Sequence, residues 1–134
     1  MKTINLSSFD TKNVNDMGYM FNICTDLINI DLSSFDTKNV IDMGSMFRSC
    51  NNLTNIKLSS FDTKNMKDME SMFSYSRQLN YLDLSSFNIQ KNTKLKDIFK
   101  ECNKLSQIRI NKNSYEKLKD KLNEKDINFE IVEL

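Results

Sequence analysis

Three cysteines and one serine follow one another at a constant spacing of 26 residues and are the first candidates for chemistry. Cys24, Cys50 and Cys102 are separated by 26 and 52 residues, and Ser76 occupies the intervening position. Thiols in such a column could bind a metal or pair as disulfides. The spacing fits no metal pattern without histidine. We favour buried, reduced thiols that fill space, a role that serine can share.

Carboxylates and methionines recur with the same step. Calcium requires six or more convergent oxygens, and the Asp-Thr pairs are more typical of turns. Methionine pairs could form a soft metal site or a flexible binding surface, but we favour core packing, with the second methionine partly exposed. The Asp-Thr pairs are Asp10-Thr11, Asp36-Thr37 and Asp62-Thr63, and the methionine pairs are Met17/Met20, Met43/Met46 and Met69/Met72.

The composition argues against catalysis and against several kinds of partner. Histidine, the commonest proton-transfer residue near neutral pH and the commonest metal ligand, is absent from the sequence. We therefore expect no enzyme activity, no metal and no cofactor. Nineteen basic and 18 acidic residues leave a net charge of +1, which gives no reason to expect a nucleic acid partner. No apolar run is long enough for membrane insertion.

The candidate residues are positioned by a repeat of 26 residues. Each repeat begins with an alternating segment such as Leu27-x-x-Ile30-x-Leu32, which predicts a half-buried strand. A strict period of this length predicts a solenoid, because one repeat cannot bury its apolar face alone. Residues 1–110 contain four full repeats and a final strand.

A short helix is predicted after each strand. Val40, Met43, Phe47 and Cys50 lie three or four residues apart and form one apolar face. Asn39 is placed to cap this helix, and Asp42 adds negative charge near its first turn. The repeat therefore predicts a parallel sheet on one side and short helices on the other.

The outward positions of the strands are the candidate binding residues. Repeats differ most there, so one scaffold could present a specific surface. Alternating charges are also what a solvated sheet needs. By residue type, Tyr81, Lys57 and Arg109 are the most probable anchors. The candidate partner-binding residues are Asn29, Asp31, Asn55, Lys57, Tyr81, Asp83, Gln107 and Arg109.

The two ends of the chain differ from the repeats. Residues 111–134 predict a C-terminal cap within a single domain, with a helix at about 114–124 capped by Ser114 and a strand at about 127–132. Lysines and acidic residues alternate along Lys112–Lys125, which favours a solvated surface over a site for an anionic partner. The first repeat has no matching cap, and its open strand edge predicts self-association.

The repeat LSSFDTKNVIDMGSMFRSC, residues 32–50, resembles the BspA-like leucine-rich repeats. The resemblance covers residues 1 to about 110. It implies a right-handed, leucine-rich-repeat-like β/α solenoid and a non-catalytic role in protein binding, as in bacterial and protist surface adhesins. The alternative is an intracellular binding partner or inhibitor of the immunity type. The segment Met1–Leu6 has no signal-peptide features, so a surface and a cytoplasmic location both stay open.

Overall fold

The computed structural model describes residues 2–122 and 127–133 of the chain. It is a mixed α/β structure with two small parallel sheets and one short α-helix. The strands are β1 (Thr3–Ile4), β2 (Asn29–Asp31), β3 (Asn55–Lys57), β4 (Tyr81–Leu84), β5 (Gln107–Asn111) and β6 (Asn128–Val132). The helix α1 spans Lys112–Leu118, and one 3-10 turn follows at Lys119–Leu122.

Strands of neighbouring repeats are parallel and pair at equivalent positions. In the first sheet, in the order β1, β2, β3, Asn29 lies opposite Asn55 and Ile30 opposite Ile56. In the second sheet, β4, β5, β6, Tyr81 lies opposite Gln107. The predicted parallel pairing is confirmed. The alternation explains this register, since a shift by one residue would turn every isoleucine toward solvent.

The two sheets meet between β3 and β4. Within the described part of the chain, no β-ladder joins these two strands. Ile56, in the middle of β3, is half-buried, whereas Ile30 and Leu82 at the equivalent positions are buried. The row of strands is therefore interrupted at the third repeat.

The prediction of a short helix in each repeat is wrong. Among the described residues the only α-helix is α1, and the segments after the strands are series of tight turns. In these segments alternate N–H groups bond to the next repeat: Phe21 N donates to Met46 O at 2.9 Å and Phe47 N to Met72 O at 2.8 Å. The N–H groups between them close turns three residues back, as Met46 N does to Met43 O at 3.2 Å.

Left-handed backbone conformations make these turns possible. Ser45 and Ser49 have φ of 56° and 60°, and the equivalent Ser71 and Tyr75 have 57° and 64°. Such angles cost a non-glycine residue roughly 1–2 kcal/mol. The hydrogen bonds between repeats satisfy the backbone groups of these turns. Bonding between repeats, rather than within a helix, therefore sets the conformation of this segment.

The predicted caps have other partners because there is no helix to cap. The Asn39 amide donates to Lys12 O at 2.8 Å, and the Asn65 amide donates to Lys38 O at the same distance. Asp42 Oδ1 accepts from Gly44 N at 2.8 Å within its own turn. The asparagines thus link repeats, while the aspartate shapes one turn.

Phenylalanine rings stack through the core from one repeat to the next. Successive ring centroids are 5.6, 5.7 and 5.8 Å apart, and the ring planes are within 9° of parallel, along the stack Phe21, Phe47, Phe73 and Phe99. A second stack joins Phe61 and Phe87 at 6.0 Å. Equivalent residues lie one repeat apart, so these rings pack on one another in successive repeats.

Burial differs between the first repeat and the inner repeats. Phe9 is 57% exposed, whereas Phe35 at the equivalent position is 3% exposed. The second methionine of each pair was predicted to be partly exposed, but Met46 and Met72 are fully buried. Of these three methionines, only Met20, in the first repeat, is partly exposed as predicted, at 43%. Packing by a preceding repeat is what buries these side chains.

The C-terminal segment adds α1 and β6 to the last repeat. β6 pairs with β5, placing Ile131 opposite Ile110. The N-cap of α1 is Asn111 rather than the predicted Ser114, and Asn111 Oδ1 accepts from Ser114 N at 2.9 Å. Ser114 is buried instead, where its hydroxyl donates to Phe87 O and accepts from Ile89 N. The predicted helix end at 124 lies outside the described residues.

Candidate functional site

A groove of about 430 Å³ lies along the first sheet. It brings together five of the eight predicted binding residues, from β2, β3 and the start of β4. Ile30 and Ile56 also line it. The predicted residues that line it are Asn29, Asp31, Asn55, Lys57 and Tyr81.

Most polar side chains in this groove are paired across repeats. The Asn55 amide donates to Asn29 Oδ1 at 2.6 Å, and Lys57 Nζ lies 3.5 Å from Asp31 Oδ2. Hydrogen bonds from Ser33, followed by the charge of Lys57, hold the pKa of Asp31 below its ordinary value. These pairs are exposed, so each contributes little to stability and remains accessible to a partner.

Tyr81 is the large side chain at the end of the groove. It is 41% exposed and lies at the interruption between the sheets. Partial burial, followed by the nearby charges of Asp83 and Glu130, raises its pKa. The phenol is therefore protonated at neutral pH, so it offers a hydrogen-bond donor beside an apolar ring.

The other three predicted residues lie on the second sheet, outside the groove lining. Arg109 connects Asp83, at 3.4 Å, with Glu130 of β6, at 3.5 Å. Burial alone would raise the pKa of Asp83, but hydrogen bonds from Ser85 and the Arg109 charge lower it overall. Gln107 is exposed beside this network. The eight predicted residues thus form two groups, one around the groove, which includes Tyr81 of β4, and one farther along the second sheet.

The cysteine column has a hydrogen-bonding role that its spacing did not indicate. Cys50 Sγ donates to Phe21 O at 3.0 Å, and Cys102 Sγ donates to Phe73 O at 2.9 Å. Ser76 Oγ makes the equivalent bond to Phe47 O at 2.7 Å. Each side chain therefore links its repeat to the preceding phenylalanine carbonyl, which explains why serine replaces cysteine.

The three thiols form no disulfide, and the Cys50 thiol is poorly suited to nucleophilic chemistry. All three cysteines are free, and Cys50 is fully buried. Burial raises the pKa of Cys50 to about 12. A thiol with such a pKa is almost entirely protonated at neutral pH. The column is a structural element of the core.

The Asp-Thr pairs form turns and a second set of links between repeats. Asp36 Oδ1 accepts from Lys38 N at 3.2 Å. The buried Thr37 hydroxyl accepts from Asp62 N at 2.8 Å and donates to Asp62 O at 3.2 Å. Within residues 2–122 and 127–133, no group of three or more Cys, Asp or Glu side chains could hold a metal ion.

One aromatic cluster on the turn side was missed by the sequence analysis. The ring of Tyr75 lies 5.4 Å from the guanidinium carbon of Arg48, 5.6 Å from that of Arg77 and 6.0 Å from Lys100 Nζ. These are cation–π distances. The sequence does contain a signal for this cluster. Tyr75 occupies the same position of the repeat as Ile23 and Ser49, and the aromatic residue there is a change from both.

Comparison with known proteins identifies the family through the repeats themselves. Residues 1–115 match a family model described as "Mycoplasma protein of unknown function, DUF285". The chain belongs to the DUF285 family. The match of this DUF285 protein ends within α1, so it includes every repeat described above.

No curated protein and no solved structure matches the DUF285 protein. In the parts of the chain that the structure describes, no helix is both long and apolar enough to cross a bilayer.

Proposed function

We propose that the chain is a leucine-rich-repeat-like solenoid that acts as a non-catalytic protein-interaction module. The groove on the first sheet would receive the partner. The observation that carries the proposal is that this groove is lined by the strand positions at which the repeats differ. A surface built only to be solvated would not need the exposed ring of Tyr81 at its end.

Three further features support this proposal. The phenylalanine stacks, threonine links and cysteine links are all made between successive repeats. The constant residues are thus occupied in holding repeats together. The resemblance to BspA-like repeats favours a protein partner of the adhesin kind, and an intracellular partner or inhibitor would use the same groove.

Site-specific photo-crosslinking in the native host tests the groove. A benzophenone amino acid replaces Tyr81 in the full chain, and a matched variant carries it at Ile41. The two positions are 41% and 40% exposed, but Ile41 lies outside the strands. We expect a discrete covalent protein adduct from position 81 and none from position 41.

A second substitution links that adduct to the predicted residues. Adding Lys57→Glu to the position-81 variant reverses one charge in the groove, and we expect it to reduce the adduct at least about fivefold. Adding Lys38→Glu, which also reverses an exposed lysine paired with an aspartate, should leave the yield unchanged. Equal adducts from positions 81 and 41, or equal losses with both lysine changes, would contradict the proposal.

We also propose self-association through the first repeat. Phe9, Tyr19 and Ile23 are exposed there, and a depression of about 290 Å³ lies beside Ile23 and Phe21. In the described structure β1 pairs only with β2, so its other edge can accept a strand.

Sedimentation velocity over a range of concentrations tests self-association. We expect a concentration-dependent dimer that is abolished by Phe9→Ser together with Ile23→Ser. Ile41→Ser is the control, since it removes an exposed apolar side chain elsewhere. A monomer at every concentration up to about 1 mM, at which only interactions weaker than about 4 kcal/mol would escape detection, would refute self-association.

A further inference from the structure

A pocket of about 410 Å³ lies between the fourth repeat and the C-terminal segment. Three lysines of the repeat face it together with two lysines contributed by α1 and the 3-10 turn. One glutamate, Glu70, also lines it. Among the described residues that line it, the excess is four positive charges, on a chain whose net charge is +1. The lysines are Lys91, Lys94, Lys96, Lys117 and Lys121.

Equivalent positions in the second repeat show what the fourth repeat has changed. Asn39, Asp42 and Gly44 become lysine at 91, 94 and 96. The backbone is nevertheless retained, since Asp42, Asp68 and Lys94 form one row of bridges. Core packing therefore continues through the fourth repeat while its surface gains positive charge at these three positions.

The change at position 94 removes a structural interaction. Asp42 Oδ1 accepts from Gly44 N at 2.8 Å, and Asp68 Oδ1 accepts from Glu70 N at 2.9 Å. A lysine ammonium has no acceptor and cannot make this turn bond. Residues that abandon a local structural rule are typical of functional sites.

The existing contacts do not neutralise the pocket. Lys94 Nζ lies 3.8 Å from Asp68. Lys117 Nζ donates to Asn113 Oδ1 at 2.7 Å, and this neutral amide leaves its charge uncompensated. Several ammonium groups around one concavity match an anion that carries several charges close together. The pocket lining contains no aromatic side chain for base stacking, which disfavours nucleic acid.

We propose that this lysine pocket binds a small ligand with clustered phosphate groups. The phosphates would contact lysines from both the fourth repeat and the C-terminal segment. Binding there would join the two elements and stabilise the C-terminal end of the fold. This site shares no lining residue with the groove on the first sheet. Either proposal can therefore be refuted without affecting the other.

Titration calorimetry of the full chain with sodium tripolyphosphate tests the site. We expect saturable 1:1 binding that weakens as sodium chloride is raised. Lys91→Asn with Lys96→Asn should weaken binding about tenfold or more, which corresponds to about 1.4 kcal/mol. Lys117→Gln with Lys121→Gln should also weaken it, because both elements contribute. Circular dichroism establishes that each variant is folded.

The control removes two charges elsewhere. Lys38→Asn with Lys64→Asn changes the net charge equally, at lysines that lie near Asp36 and Asp62, and should alter affinity less than about twofold. Equal weakening by the control would show a net-charge effect and overturn the proposal. Absence of saturable binding to the wild-type chain at about 1 mM tripolyphosphate would also overturn it.

Vesicles distinguish the source of the phosphate groups. Flotation with phosphatidylcholine vesicles that contain phosphatidylinositol bisphosphate is compared with binding of free tripolyphosphate. Binding to both, weakened by the same lysine changes, supports the site and makes lipid headgroups accessible to it. Binding to tripolyphosphate alone supports a soluble ligand. Binding to vesicles alone overturns the pocket and indicates general attraction to an anionic surface.

Discussion

Phe47→Ala should be among the most destabilising single substitutions in this chain. The ring is fully buried and stacks on Phe21 at 5.6 Å and on Phe73 at 5.7 Å. Phe-to-Ala changes in cores cost about 3–5 kcal/mol. Loss of two aromatic pairs, each worth about 0.5–1.5 kcal/mol beyond burial, places Phe47 near the upper end. We expect a loss of about 4–5 kcal/mol in the free energy of unfolding, measured by urea denaturation followed by circular dichroism.

Two other phenylalanines provide graded controls. Phe21 is 7% exposed and stacks within the described structure on Phe47 alone, so Phe21→Ala should cost about 1 kcal/mol less than Phe47→Ala. Phe9 is mostly exposed, and Phe9→Ala should cost under about 1 kcal/mol. The reasoning is refuted if Phe47→Ala costs less than about 2 kcal/mol, or if Phe21→Ala costs as much.

Ser76→Ala should cost about 1 kcal/mol because it removes the hydrogen bond to Phe47 O, whereas Ser76→Cys, which retains a donor, should cost less; urea denaturation measures both. The Cys50 thiol is buried, with its pKa raised to about 12, so iodoacetamide at pH 8 should modify it only in the unfolded chain, as peptide mass spectrometry would show. The pKa of Asp83 is lowered in the fold, so its hydrogen bonds from Ser85 and its interaction with Arg109 stabilise the protein above the ordinary carboxyl pKa of 3.8, and this stabilisation is lost as pH falls through the lower folded value. Asp83→Asn should therefore reduce stability at pH 7 and flatten the acid side of a pH–stability curve.

A specific result would contradict each of these three predictions. Equal losses for the alanine and cysteine variants at position 76 would show that the column only fills space. Rapid alkylation of Cys50 in the native chain would contradict its burial. An unchanged pH profile in Asp83→Asn would mean that the carboxyl titrates alike in the folded and unfolded chains.

The strands and the core were predictable because their signals are local and repeated. Alternation around Ile30 and Ile56 places both residues on β-strands, and the step between them gives the register. The stacked phenylalanines follow from the same step. The interruption after β3 has no sequence signal of this kind, because Leu82 continues the alternation across it.

The helices were mispredicted because apolar spacing does not reveal where backbone hydrogen bonds go. Val40, Met43, Phe47 and Cys50 are all buried as expected. Residues spaced by three and four positions face inward in a helix, but they also do so in a series of turns whose N–H groups bond to the next repeat. Left-handed φ angles at serine rather than glycine, as at Ser45, removed the usual turn signal.

The candidate site was partly predictable. Variation at outward strand positions identified Asn55, Lys57 and Tyr81, which the structure gathers around one groove. It could not show that Arg109 and Asp83 are engaged on the second sheet. Lys112–Lys125 was interpreted as a solvated surface because acidic residues alternate with its lysines, and the pocket went unnoticed because only the fold brings Lys94 near Lys117.

The side-chain links between repeats determine how such a gene can change in length. Thr37 reaches 25 residues ahead, Asn39 reaches 27 residues back and Cys50 reaches 29 residues back. An insertion of a few codons inside a repeat would displace all three kinds of link at once. Duplication or loss of one whole unit would preserve every one of them. Unequal recombination between repeats is therefore the mutation that this architecture tolerates best, and it would move the variable groove residues as complete sets.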